Sequence, residues 1–69
     1  MATQNAKADA EAAARLRIGQ DIVCEVPPHL PYYGDVTAIE GGLVRFCVAR
    51  PDAARGTLLW VPGRFCRPV

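Results

Sequence analysis

Residues 35–49 read DVTAIEGGLVRFCVA, and this stretch decides the fold. Two arms of strand-forming residues flank the pair Gly41 and Gly42, and glycine reaches the positive backbone angles of a tight two-residue hairpin turn. In the return arm Val44, Phe46 and Val48 share one face, while Leu43, Arg45, Cys47 and Ala49 share the other. The face that carries Arg45 is assigned to solvent. The unit is therefore an antiparallel hairpin with one dry side.

On its N-terminal side, IGQDIVCEV (18–26) sets Ile18, Ile22, Cys24 and Val26 on one parity and Asp21 and Glu25 on the other, which predicts a first strand. PPHLPYYG (27–34) follows. Its three prolines cannot donate ladder hydrogen bonds, so it is expected to be an extended loop carrying Tyr32 and Tyr33 near the surface. On the C-terminal side, RPDAAR (50–55) is a polar connector. GTLLWV (56–61) is then a strand with apolar residues on both faces, Leu58 and Trp60 on one and Leu59 and Val61 on the other. Such a strand is either central or borders a binding surface. Pro62 ends it, Gly63 turns the chain, and CRPV (66–69) closes the domain with a short strand.

Residues 2–15, ATQNAKADAEAAAR, lack Gly and Pro and offer a Glu11–Arg15 pair one helical turn apart, so they favour helix. No large apolar side chain precedes Leu16, and a lone helix of this length is marginal in water. The expectation is a flexible or frayed-helical tail over 1–16 followed by one all-β domain over 17–69.

A chain of 69 residues has room for one domain and one small core, and 51% apolar with 22% charged residues is the composition of a globular protein. The net charge of +1 names no partner, but its distribution is uneven. Residues 1–40 carry three bases against six acids, and residues 41–69 carry five arginines against Asp52 alone. Halves of opposite sign neutralise one another in a small fold and can align protomers.

Cys24, Cys47 and Cys66 are odd in number, widely spaced and without a CxxC pair, so they read as free thiols in reducing cytoplasm rather than as a disulfide frame or a zinc site. Neither a secretory leader nor a membrane-spanning run is expected from the sequence, and abundant Ala, Arg and Gly suggest a GC-rich bacterial or mobile-element gene. His29, the single histidine, sits among prolines in the loop and is expected to be solvated.

The closing segment WVPGRFCRPV, Trp60 to Val69, is similar to that of Src-homology-3 domains: a hydrophobic residue, proline, two turn residues, an aromatic, a hydrophobic residue and a last short strand. Type II dihydrofolate reductases and other bacterial SH3-like proteins end in a similar way. The resemblance implies a five-stranded SH3-like barrel preceded by the flexible or partly helical N-terminal tail. It implies further that Trp60, Pro62 and Phe65, joined by Tyr32 or Tyr33 from the long loop, form a partner-binding groove. Phe65 stands where peptide-binding members carry a tyrosine, and the first strand lacks their tyrosine-rich opening. The reductase chemistry does not transfer, because LLWV offers no polar group for a pteridine or amide except the indole N–H.

These residues provide no acid, base or nucleophile set in a pocket, and neither a metal nor a cofactor is expected. The expected role is a non-catalytic module that binds a protein partner or itself through Tyr32, Tyr33, Trp60, Pro62 and Phe65. The alternative is a nucleic-acid-binding barrel in which Arg45, Arg64 and Arg67 meet phosphates beside the aromatics. A pI of 7.7 and the acids of the first half weigh against that alternative.

Overall fold

A computed structural model describes residues 2–69, with side chains from residue 6 onward. Helix α1 spans Ala2–Ala14, and five strands follow: β1 Asp21–Cys24, β2 Tyr32–Glu40, β3 Leu43–Arg50, β4 Leu58–Pro62 and β5 Cys66–Pro68. Single 3-10 turns, Asp52–Ala54 and Gly63–Phe65, connect β3 to β4 and β4 to β5. All the strands are antiparallel and lie in one sheet in the order β4-β3-β2-β1-β5. Among the described residues no helix is long and apolar enough to cross a membrane.

The inner face is built by the alternation seen in the sequence. Val44, Phe46 and Val48 of β3 are fully buried, as are Ile22 and Cys24 of β1 and Val36 of β2. Val61 and Cys66 extend this core onto β4 and β5. The first strand is shorter than the sequence pattern implies. Ile18, counted with Ile22 by parity, is 70% exposed, because the chain turns at Gly19 (φ +88°) before the ladder begins. Conversely, Tyr32 and Tyr33 are not loop residues but open β2, facing Cys24 and Val23 across the ladder.

The sheet is not closed into the expected barrel. β4 bonds only to β3 and β5 only to β1, so both are edges. They are joined through the Gly63–Phe65 turn instead of a ladder. Pro62 brings no N–H to the β4 edge, and β5 is three residues long, so there is little backbone for a closing ladder to use.

Within residues 1–16, expected as a flexible or frayed-helical tail, Ala2–Ala14 form a helix docked on the sheet; Met1 lies outside the described residues. Asp9, Ala13 and Leu16 follow one another at helical spacing and are all buried. The stripe works through smallness. A Cβ on Gly42 would lie 2.7 Å from the Asp9 Cβ, and one on Gly63 would collide more closely still with the Asp9 carbonyl oxygen and lie 2.9 Å from the Ala13 amide nitrogen, so the helix rests directly on two bare backbone segments. Those segments are themselves tied, since the Gly63 N–H donates to the Gly42 carbonyl at 2.8 Å. The two glycines of the hairpin therefore do different things. Gly41 supplies the positive φ of the turn, whereas Gly42 makes room for α1. Leu16 beyond the helix joins the core, a burial that contributes roughly 2 kcal/mol.

A methyl at the tighter seat forces the helix outward. Gly63→Ala is expected to lower unfolding stability by about 1–3 kcal/mol, read as a lower urea midpoint; an unchanged midpoint would mean that α1 is not seated there.

Candidate functional site

β4 turns Leu59 and Val61 inward and Leu58, Trp60 and Pro62 outward. Their β3 partners on the outer face are Cys47 for Leu58, Arg45 for Trp60 and Leu43 for Pro62. The Arg45 guanidinium carbon lies 5.6 Å from the Trp60 ring centroid, within cation–π range. Its Nε donates to Thr37 Oγ1 at 2.9 Å, and that hydroxyl donates to the Arg45 carbonyl at 3.3 Å. Thr37 is the additional residue where the β2–β3 register slips between Val36 and Ala38. The bulge thus fixes Arg45, and Arg45 braces Trp60. Around this centre Leu43 (46% exposed), Leu58 (54%) and Trp60 (44%) form an apolar patch open to solvent.

The backbone beside this patch is also unsatisfied by the sheet. Val48 donates to the Thr57 carbonyl and Gly63 to the Gly42 carbonyl, which fixes the ladder phase: Leu59 and Val61 bond to β3, and Leu58 and Trp60 point their N–H and C=O groups away from it. Pro62 stops the free edge at its end. A two-residue stretch of exposed donors and acceptors therefore runs alongside exposed leucine and indole.

The residues expected to form one binding surface are divided. Trp60 and Pro62 share the outer face of β4. Tyr33 (40% exposed) is also outward, but it faces Arg50, about 16 Å along β3 from the Arg45–Trp60 pair. Tyr32 faces the other side and packs on the core next to Cys24. Phe65 is half-buried in the turn before β5, with the Arg64 guanidinium carbon 4.6 Å from its ring centroid. Leu43 and Cys47, missing from the expected set, enter it through register. The sequence placed both on the wet face of the hairpin but gave no way to know that β4 would lie beside them.

The three arginines are likewise separated. Arg64 Nη1 is 2.8 Å from Asp9 Oδ2, and the Arg64 N–H donates to Oδ1 at 3.2 Å, so this side chain ties β5's approach to α1. Arg67 pairs with Glu25, and Arg45 is held by Thr37 and Trp60.

A separate open concavity of about 340 Å³ is lined by Asp21, Tyr33, Asp35 and Arg50 among others. Its two carboxylates are ladder partners, a juxtaposition that sequence spacing concealed. His29 is exposed in the loop, and no group of metal-ligating side chains occurs among the described residues.

Cys24 and Cys66 are ladder partners whose sulfurs lie 3.1 Å apart. A hydrogen bond shared with the Cys66 thiol, together with burial, pushes the Cys24 thiol up. The same bond draws Cys66 below the ordinary thiol value, although burial and nearby Asp9 push the other way.

No protein-family model matches this chain, and neither a curated protein nor a solved structure matches it.

The Asp9–Arg64 link should be measurable as coupling. A double-mutant cycle with Asp9→Ala and Arg64→Ala is expected to give an interaction of about 1 kcal/mol in urea unfolding; strictly additive losses would remove the tie between helix and turn.

Proposed function

We propose that this chain is a non-catalytic protein-interaction module whose contact surface is the outer face and free edge of β4. The observation that carries the reading is the coincidence of Leu58 and Trp60 of β4 and Leu43 of β3, each near half exposed, with the backbone groups of Leu58 and Trp60 that point away from β3. An extended segment of a partner would add to the β4 edge through Leu58 and Trp60 backbone bonds and bury the indole and leucines against its own apolar side chains. A second copy can do the same. A two-fold axis at Trp60 lets each Trp60 exchange both bonds with its counterpart.

The SH3-like reading belongs to the same proposal. Its support is the placement of β1 between β2 and β5, the tight hairpin after Glu40 and the single turn before β5. The odd number of cysteines, without a CxxC pair, supports a reducing, cytoplasmic setting.

Nucleic-acid binding is the weaker reading. Arg64 and Arg67 are paired with Asp9 and Glu25, so a phosphate would have to displace a carboxylate at each, and Arg45 has its Nε engaged by Thr37. Phosphate-driven binding needs cations that release counterions rather than cations already neutralised within the fold.

The test is a pair of measurements on the full chain and its Trp60→Ala variant: sedimentation across a concentration series, and capture of partners on the immobilised protein. Trp60→Ala is expected to keep cooperative unfolding within about 1 kcal/mol of the parent while losing self-association or capture at least tenfold, with little dependence on salt. Equal association by the parent and the variant, or association that collapses with added salt, would overturn the reading.

A further inference from the structure

Cys24 and Cys66, 42 positions apart in the sequence, face each other across the first and last strands of the chain, which are neighbours in the sheet. The Glu25 N–H donates to the Phe65 carbonyl, which makes the cysteines a non-hydrogen-bonded ladder pair. In such pairs the Cα atoms approach to about 4.5 Å and the side chains are closest, within the span of about 4.4–6.8 Å that a disulfide bridges. The sulfurs are already 3.1 Å apart and need no backbone movement to meet. Cys66 is 8% exposed and Cys24 1%, so an incoming reagent reaches Cys66 first. Cys47 lies on the opposite face of the sheet, beside Leu58, and cannot compete for either partner within one molecule.

We propose that Cys24 and Cys66 are an oxidative modification site, a dithiol that a small disulfide oxidant such as oxidised glutathione converts into a cross-strand bond between β1 and β5. Cys66 attacks one sulfur of glutathione disulfide as its thiolate, forming a mixed disulfide and releasing one glutathione thiolate, which takes up a proton. Cys24 then loses its proton to solvent and attacks the Cys66 sulfur, and the second glutathione leaves. Two protein thiols are oxidised to one disulfide, and one glutathione disulfide is reduced to two glutathiones. The contact between the two sulfurs favours this order, since a Cys66 thiolate accepts a hydrogen bond from the Cys24 thiol, which stays in place as the resolving group.

The physical consequence lies at the weakest edge. β5 is only three residues long, and the bond would clamp it to β1 while closing a long loop in the unfolded chain. The oxidised protein is expected to melt higher by on the order of 10 °C.

The experiment uses the full chain and its Cys47→Ser variant, each incubated folded with oxidised glutathione and, in a second arm, refolded from urea in the same reagent so that burial cannot block access. Intact mass, alkylation and peptide mapping then read the product. The expected result in both chains is the loss of two hydrogens, a peptide linking Cys24 to Cys66, free Cys47 where it is present, and a raised Tm that dithiothreitol reverses. Refolded protein with Cys24 and Cys66 both free, with glutathione retained on either of them, or with a bond from Cys24 or Cys66 to Cys47, would overturn the proposal. The Trp60 surface is untouched by this outcome, so the two readings fail separately.

Discussion

The close approach of α1 to the backbone at Gly42 and Gly63 is the constraint on which the rest of the molecule depends. Both glycines flank the β3–β4 ladder at the end where the Gly63 N–H meets the Gly42 carbonyl, and Asp9 reaches from the helix to bond both the amide and the guanidinium of Arg64. The turn between β4 and β5 is thus fixed from outside the sheet. With Ala13 and Leu16 supplying cover at this end of the core, the inner side chains of the five-stranded sheet are buried. A sheet this small gains little from its own interior, so a helix that adds buried side chains at low steric cost matters more than its modest length suggests.

What is left outside follows from the same arrangement. Leu59 and Val61 spend their side chains on the core and their backbone on β3, and the alternate residues Leu58 and Trp60 have neither use. Natural edge strands are usually blunted by charge, proline or covering structure. Here Pro62 blunts one end and Arg45 leans across the indole, but the leucines on both sides stay bare. The arginines that gave the second half of the chain its positive charge are spent differently, with two of the three candidates neutralised by acids from the first half.

Much of the sheet was legible in the sequence because it is written in local alternation. Val44, Phe46 and Val48 fall inward as their spacing requires, and LLWV, read as either central or bordering a binding surface, lies in an edge strand rather than a central one. The reading of Ile18 failed because parity was carried across Gly19, where the backbone turns. The docked helix was missed because its buried stripe is Asp9, Ala13 and Leu16, which hydrophobic periodicity barely registers; the signal was the paired glycines, whose need depends on what sits above them. The division of Tyr32 from Trp60 and the meeting of Cys24 with Cys66 are matters of register between distant strands, which composition and spacing do not encode.

The central claim is that the β4 edge stands open in the monomer, and residue-resolved amide hydrogen exchange tests it most directly. At dilute concentration Leu58 and Trp60 are predicted to exchange far faster than Leu59 and Val61, whose amides bond to β3. Equal, strong protection along all four amides of β4 would mean that the edge is already covered, by closure of the sheet or otherwise, and would contradict the account.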